Sequence, residues 1–161
     1  MDFNDLRKYL DNVDNINRGG CGLSALVMYR WLRERGIKSE IIFLYEFDYN
    51  EIYQNYDNGE YINTPFHVVL FKDGILIDSY TGEIPKFEDN MVNFTYGDNE
   101  EDYYYYFNVG EEILVDVLQN GNWNKQFDRN KNFYNIVENT GVYLGDIEYE
   151  YLEMDLEEEF L

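Results

Sequence analysis

The sequence predicts one α+β domain in which a central, cysteine-bearing helix packs on an antiparallel sheet. Three observations predict it: an apolar helical segment over 23–35 just after Cys21, a hairpin pattern over 66–80, and a length of 161 residues. A chain of this length is about one domain in size and can bury a core large enough to hold a rigid site. We therefore treat 1–161 as a single domain with an acidic C-terminal segment, 146–161.

The N-terminal third is predicted to be helical on both sides of a glycine-rich loop. Residues 2–10 form a short helix in this interpretation, and residues 15–22, which contain three glycines, form the loop. The segment 23–35 (LSALVMYRWLRER) consists of good helix formers and ends at Gly36. It is apolar on nearly every face through Leu32, which predicts a buried, central helix.

The middle of the chain is predicted to form strands. Residues 40–47 (EIIFLYEF) are rich in β-branched and aromatic residues, and a polar loop follows over 48–64. Two apolar runs, 66–71 and 75–80, flank the pair Asp73-Gly74. Because Asp-Gly is a preferred pair for a two-residue type I′ turn, these runs predict a β-hairpin.

The C-terminal half is less regular in composition. Residues 81–102 combine glycine, proline and acids, which predicts a segment with little regular structure. A strand is expected at 103–107 (YYYYF), and two short helices at 111–119 and 130–139. The segment 146–161 carries eight acidic and no basic residues.

Charge and composition exclude several classes of protein. The 45% apolar fraction excludes a disordered chain, and a net charge of −21 argues against direct nucleic-acid binding, which depends on basic residues that neutralise phosphates. No apolar run approaches the roughly 20 residues that span a bilayer, and the charged start over 1–9 lacks a signal-peptide core, so we expect no membrane segment and a cytoplasmic location. One cysteine and one histidine are too few for a structural zinc site, and we expect no metal and no bound cofactor.

Cys21 is predicted to lie at the N-terminus of the apolar helix. Unpaired backbone N–H groups and the helix dipole favour negative charge there, and therefore favour a thiolate. The neighbouring glycines allow a substrate to approach the backbone, and the N–H group of Cys21 itself can donate to an oxyanion. An inert, buried cysteine is the alternative that this position leaves open.

His67 and Asp78 are predicted to meet across the hairpin. If Asp73-Gly74 is the turn, paired positions sum to 147, so Val69 lies opposite Asp78 and the side chains of His67 and Asp78 share one face as diagonal neighbours. A carboxylate within an apolar run requires a partner, and such an acid would orient an imidazole. The alternatives are that His67 has only a structural role, and that Asp78 either caps a local turn with Ser79 and Thr81 or lies at a solvated strand end.

The segments INRGGCGLSALVMYRWL and FHVVLFKDGILIDSYTG together resemble the papain-like superfamily, which includes papain, the transglutaminases and the arylamine N-acetyltransferases. The resemblance covers residues 15–82 and lies in the chain order of a cysteine on a helix, then a histidine and an acid on successive strands. It implies a thiolate nucleophile at Cys21, an acid–base at His67 and an orienting acid at Asp78. It also implies an oxyanion donor six residues before the nucleophile, a position that Asn15 occupies.

Two functions follow as expectations. The first is a thiol-dependent hydrolase or acyltransferase, peptidase-like or amidase-like, that acts on a peptide, amide or thioester, with a basic peptide best suited to the negative charge. The second is an acidic interaction or inhibitor protein of a kind that bacteriophages encode, in which an inactive papain-like scaffold imitates nucleic-acid charge and binds a basic protein. Tyrosines and acids interleave at 100–103 and 148–151, although solvated acids together with tyrosines packed as core strand residues also explain that pattern.

Overall fold

The fold is described from a computed structural model of the chain, which is α+β. The structure describes residues 1–16, 19–45, 65, 67–79, 86–88, 91–94, 102–120 and 127–147. The helices are α1 (Phe3–Asp11), α2 (Cys21–Glu34), α3 (Glu111–Asn120) and α4 (Arg129–Thr140). The strands are β1 (Glu40–Tyr45), β2 (His67–Lys72), β3 (Ile75–Ile77), β4 (Lys86–Glu88), β5 (Met91–Phe94) and β6 (Asp102–Val109).

The described strands form one antiparallel sheet in the order β3-β2-β1-β6-β5-β4. The predicted mixture of helices with an antiparallel sheet is therefore confirmed, as are the predicted strand at 103–107 and the helices at 111–119 and 130–139. Positions 46–64 and 148–161, which include the predicted loop and nearly all of the acidic segment, lie outside the described residues.

The prediction of little regular structure over 81–102 is wrong. Strands β4 and β5 pair with each other, and β5 also pairs with β6. Each of these strands has only three or four residues, which is too short to show a clear hydrophobic alternation in the sequence. Strand β5 forms through its hydrogen bonds to the longer β6, a contact that the local sequence of β5 does not predict.

The hairpin prediction is confirmed in its register. Lys72 pairs with Ile75 and Leu70 with Ile77, so paired positions sum to 147 as expected. Asp73 and Gly74 have φ angles of 53° and 80°, the positive values that a type I′ turn requires at both central positions. Strand β3 ends at Ile77 rather than at residue 80, so Asp78 lies immediately beyond the ladder.

Helix α2 is the centre of the main core, as its apolar sequence predicts. Its face packs against the sheet, where Ile41, Phe43, Val68 and Leu70 are each at most 1% exposed. Helix α1 adds two fully buried leucines to this core, and α4 adds a phenylalanine and an isoleucine. A smaller apolar cluster lies on the other face of the sheet and is formed by Ile42, Leu44, Val69 and Leu76.

Arg30 is a buried charge within this otherwise apolar helix. Its guanidinium donates to both carboxylate oxygens of Asp146 at 2.9 and 2.7 Å, to Glu111 at 2.9 Å and to the carbonyl oxygen of Tyr143 at 2.9 Å. The hydrogen bonds from Arg30 hold the pKa of Asp146 below its ordinary value. The first acid of the C-terminal acidic segment is therefore bound to α2 rather than left to solvent.

Candidate active site

Cys21 is the first residue of α2, as the sequence predicts. Gly20 is the N-cap residue, and no side chain described in the structure caps this end of the helix. The backbone N–H groups of the first turn therefore receive no capping hydrogen bond from the side chain of the N-cap residue. The Cys21 side chain is a free thiol and is 5% exposed, so it lies at the edge of the core.

Gly20 fixes the path of the chain into the thiol. A Cβ atom at this position would lie 2.7 Å from the carbonyl oxygen of Ile16 and 2.9 Å from the Phe127 ring, closer than real Cβ contacts allow. The loop before Cys21 can therefore pass this close to Ile16 and Phe127 only because residue 20 is glycine. This packing sets where the N-terminus of α2, and with it the thiol, is held.

His67 and Asp78 meet through a buried hydrogen bond. The imidazole Nε2 donates to Asp78 Oδ2 at 2.9 Å, and the two residues are 3% and 2% exposed. The contact is the one that the hairpin register predicts, since positions 67 and 78 are diagonal neighbours across the turn. Because Nε2 is bound to the carboxylate, Nδ1 is the ring nitrogen left to face another group.

Cys21 is the other group that acts on the ring, because interactions with its side chain raise the pKa of His67. Burial lowers the pKa of His67, but the hydrogen bond to Asp78 and the interaction with Cys21 outweigh it and raise that pKa to about 9. The ring therefore holds its proton at neutral pH. A protonated imidazole beside a thiol, itself oriented by a carboxylate, is the arrangement that activates a cysteine nucleophile.

Asn15, the predicted oxyanion donor, is placed differently from these three buried side chains. It lies in the turn before the helix, it is exposed, and its φ angle is 60°, in the left-handed region. Asparagine tolerates this region better than most residues do. Its role at the site stays a prediction.

Sequence reasoning missed one contact to the site. Arg7, on α1, donates from Nε to the main-chain oxygen of Asp78 at 3.0 Å. The two residues are 71 positions apart, and no local pattern around Arg7 distinguishes it from a solvated cation on an amphipathic helix. Only the packing of α1 beside the hairpin brings the two together.

Comparisons of the chain with known protein families, with curated proteins and with solved structures found no match. Within the described residues, no group of three His, Cys, Asp or Glu side chains is arranged to hold a metal ion. In the same part of the chain, no helix has both the length and the apolar composition of a membrane span.

Proposed function

We propose that the protein is a thiol-dependent hydrolase or acyltransferase whose catalytic residues are Cys21, His67 and Asp78. The observation that carries this proposal is that one buried imidazole hydrogen-bonds with a buried carboxylate and also has its pKa raised by the side chain of the single cysteine. A nucleophile–base–orienter arrangement requires a thiol and a carboxylate to act on the same imidazole, and these are the two groups that raise the pKa of His67.

The proposed reaction begins with attack of the Cys21 sulfur on the carbonyl carbon of an amide, ester or thioester. A C–S bond forms, and the negative charge that develops on the carbonyl oxygen is stabilised by the Cys21 N–H group at the helix N-terminus, with Asn15 as a second donor. Collapse of this intermediate breaks the bond to the leaving group, which takes the proton from His67. Water or another acceptor then attacks the carbonyl carbon of the acyl-thioester, and His67 takes a proton from it. Collapse of this second intermediate breaks the C–S bond, which releases the acyl product and leaves the Cys21 thiolate beside the protonated His67.

Asp78 stays a carboxylate throughout this cycle. It holds the imidazole with Nδ1 toward the sulfur and stabilises the imidazolium, without itself taking the proton. The scaffold that we propose is papain-like, supported by the cysteine at the start of a central helix packed on an antiparallel sheet. A basic peptide is the proposed substrate class, because a net charge of −21 attracts cations during encounter.

The second expectation, an acidic interaction or inhibitor protein, is supported by the net charge of −21 alone. Residues 100–101 and 148–161, which carry most of the acidic pattern behind it, lie outside the described residues. In this alternative the partner is a basic protein, and the affinity for it falls steeply as the salt concentration rises. Cys21→Ala then leaves that affinity unchanged.

Alkylation by iodoacetamide tests the enzymatic proposal, because the chain has a single cysteine and the reagent is small enough for a thiol that is only 5% exposed. A free thiol reacts about tenfold faster per pH unit below its pKa of about 8.5. Because a protonated His67 ring favours the thiolate form of a neighbouring thiol, we expect alkylation of the native protein to depend less steeply on pH than that of a free thiol. The same chain in denaturant is the control, and it should follow the free-thiol profile.

Variants and substrates complete the test. In His67→Gln, the alkylation rate should depend on pH as it does in the denatured chain. Cys21→Ala should abolish turnover of a panel of cationic peptide amides and thioesters while the fold is retained. A native profile identical to that of the denatured chain, or turnover that survives Cys21→Ala, would exclude the proposed site.

A further inference from the structure

Asp78 is the first residue after the end of β3. The last described pair of the β2–β3 ladder is Leu70 with Ile77, and Asp78 is the next residue. Its side chain must nevertheless keep one orientation, because Oδ2 lies 2.9 Å from His67 Nε2 within the protein interior. A residue just beyond a strand end has more backbone freedom than one within a ladder, so contacts from other elements contribute more to its orientation.

Arg7 supplies such a contact from a different element. Its Nε group donates to the Asp78 carbonyl oxygen at 3.0 Å, and a hydrogen bond from a charged donor is stronger than one between neutral groups. We propose that Arg7 is a positioning residue, which fixes the main chain at Asp78 so that the carboxylate of Asp78 stays against His67. This inference rests on the proposed function, since it assigns Arg7 a part in holding that site.

Helix α1 is itself well anchored, so it can act as a fixed support for this contact. Asp2 and Asp5 form a reciprocal capping box at its start, with hydrogen bonds of 2.8 and 3.0 Å. Its two leucines are fully buried, and the ring of Phe3 packs on that of Trp31 in α2 at a centroid distance of 5.9 Å. Arg7 bonds the end of the hairpin to α1, and α1 packs on α2. The hairpin is therefore connected through α1 to the helix that carries Cys21.

The test is an NMR titration of His67, which gives one unambiguous histidine signal because the chain contains a single histidine. Arg7→Gln changes the pKa of His67 through two effects of opposite sign. Loss of a nearby positive charge by itself raises the pKa of His67, whereas a loosened Asp78 carboxylate lowers it. We expect the positioning effect to dominate and to lower that pKa by about one unit, because the carboxylate that favours the protonated ring is held less closely against it.

Matched variants make the result specific. Lys8→Gln removes a neighbouring charge from the exposed side of α1 and should leave the His67 pKa unchanged or slightly raised. Arg7→Met keeps the apolar stem without the donor and carries the same expectation as Arg7→Gln, should the glutamine variant not fold. In an Asp78→Asn background, Arg7→Gln should produce no further decrease, because the carboxylate that Arg7 positions is gone.

The outcomes separate this proposal from the proposed function. A wild-type His67 with an ordinary pKa, together with an iodoacetamide profile like that of a free thiol, would overturn both. A raised His67 pKa that is unchanged or increased in Arg7→Gln and Arg7→Met would overturn the role of Arg7 and leave the thiol site standing. A decrease in the pKa of His67 that occurs only in chains with an intact Asp78 supports the positioning role of Arg7.

Discussion

Asp78→Asn tests how much the buried His67–Asp78 contact contributes to stability, and the magnitude follows from the pKa of His67. That pKa is raised to about 9 in the folded protein from an ordinary value of 6.5. A folded pKa above the unfolded one means that the protonated ring stabilises the fold. This contribution is fully present below about pH 6.5 and is lost as the pH rises through about 9. The difference between the two pKa values corresponds to about 3 kcal/mol of unfolding free energy.

Asparagine at position 78 keeps the shape of the side chain but removes the negative charge that holds the proton on His67. We therefore expect Asp78→Asn to lower the unfolding free energy by about 3 kcal/mol near pH 6, and by much less near pH 9.5. Urea unfolding curves of both proteins at several pH values measure this difference directly. A stability difference that does not change between these two pH values would refute the reasoning.

Two further substitutions test the packing and charge of the framework. Gly20→Ala places a Cβ atom against backbone and a ring, so we expect a loss of about 2 kcal/mol in urea unfolding and slower alkylation of the thiol. Gly110→Ala is its control, because the new atom would meet only a flexible carboxylate end; equal losses would contradict the account. Arg30→Met leaves buried acceptors without their donor and should cost about 3 kcal/mol. Arg33→Met, which removes an exposed cation bound to the same Glu111, should cost at most about 1 kcal/mol, and the reverse order would count against a buried ion cluster.

The parts of the site that the sequence could predict are those that short-range rules determine. Asp73-Gly74 defines a two-residue turn, the turn defines the register, and the register places positions 67 and 78 as diagonal neighbours. The composition of 23–35 likewise predicts a buried helix, since nearly all of its faces are apolar. The pairing of Cys21 with His67 spans 46 positions, and the sequence indicated it only through the order of the two residues and a family resemblance.

The features that sequence reasoning missed depend on contacts between distant elements. Strands β4 and β5 are too short to be visible as periodic patterns; β5 pairs with the edge of β6, and β4 pairs in turn with β5. The contact between Arg7 and Asp78, and the ion cluster around Arg30, join positions that are 71 to 116 residues apart. Charged residues on helices are usually solvated, so nothing in the local sequence indicates that these two arginines are partly or fully buried.

The central claim is that one buried imidazole is shared between a nucleophilic thiol and a carboxylate, and the titration of the single histidine tests it most directly. An NMR titration of the wild-type protein should give a His67 pKa of about 9, and Cys21→Ala should lower it because one of the two groups that favour the protonated ring is lost. A His67 pKa near the ordinary value of 6.5, or one that Cys21→Ala leaves unchanged, would contradict the account.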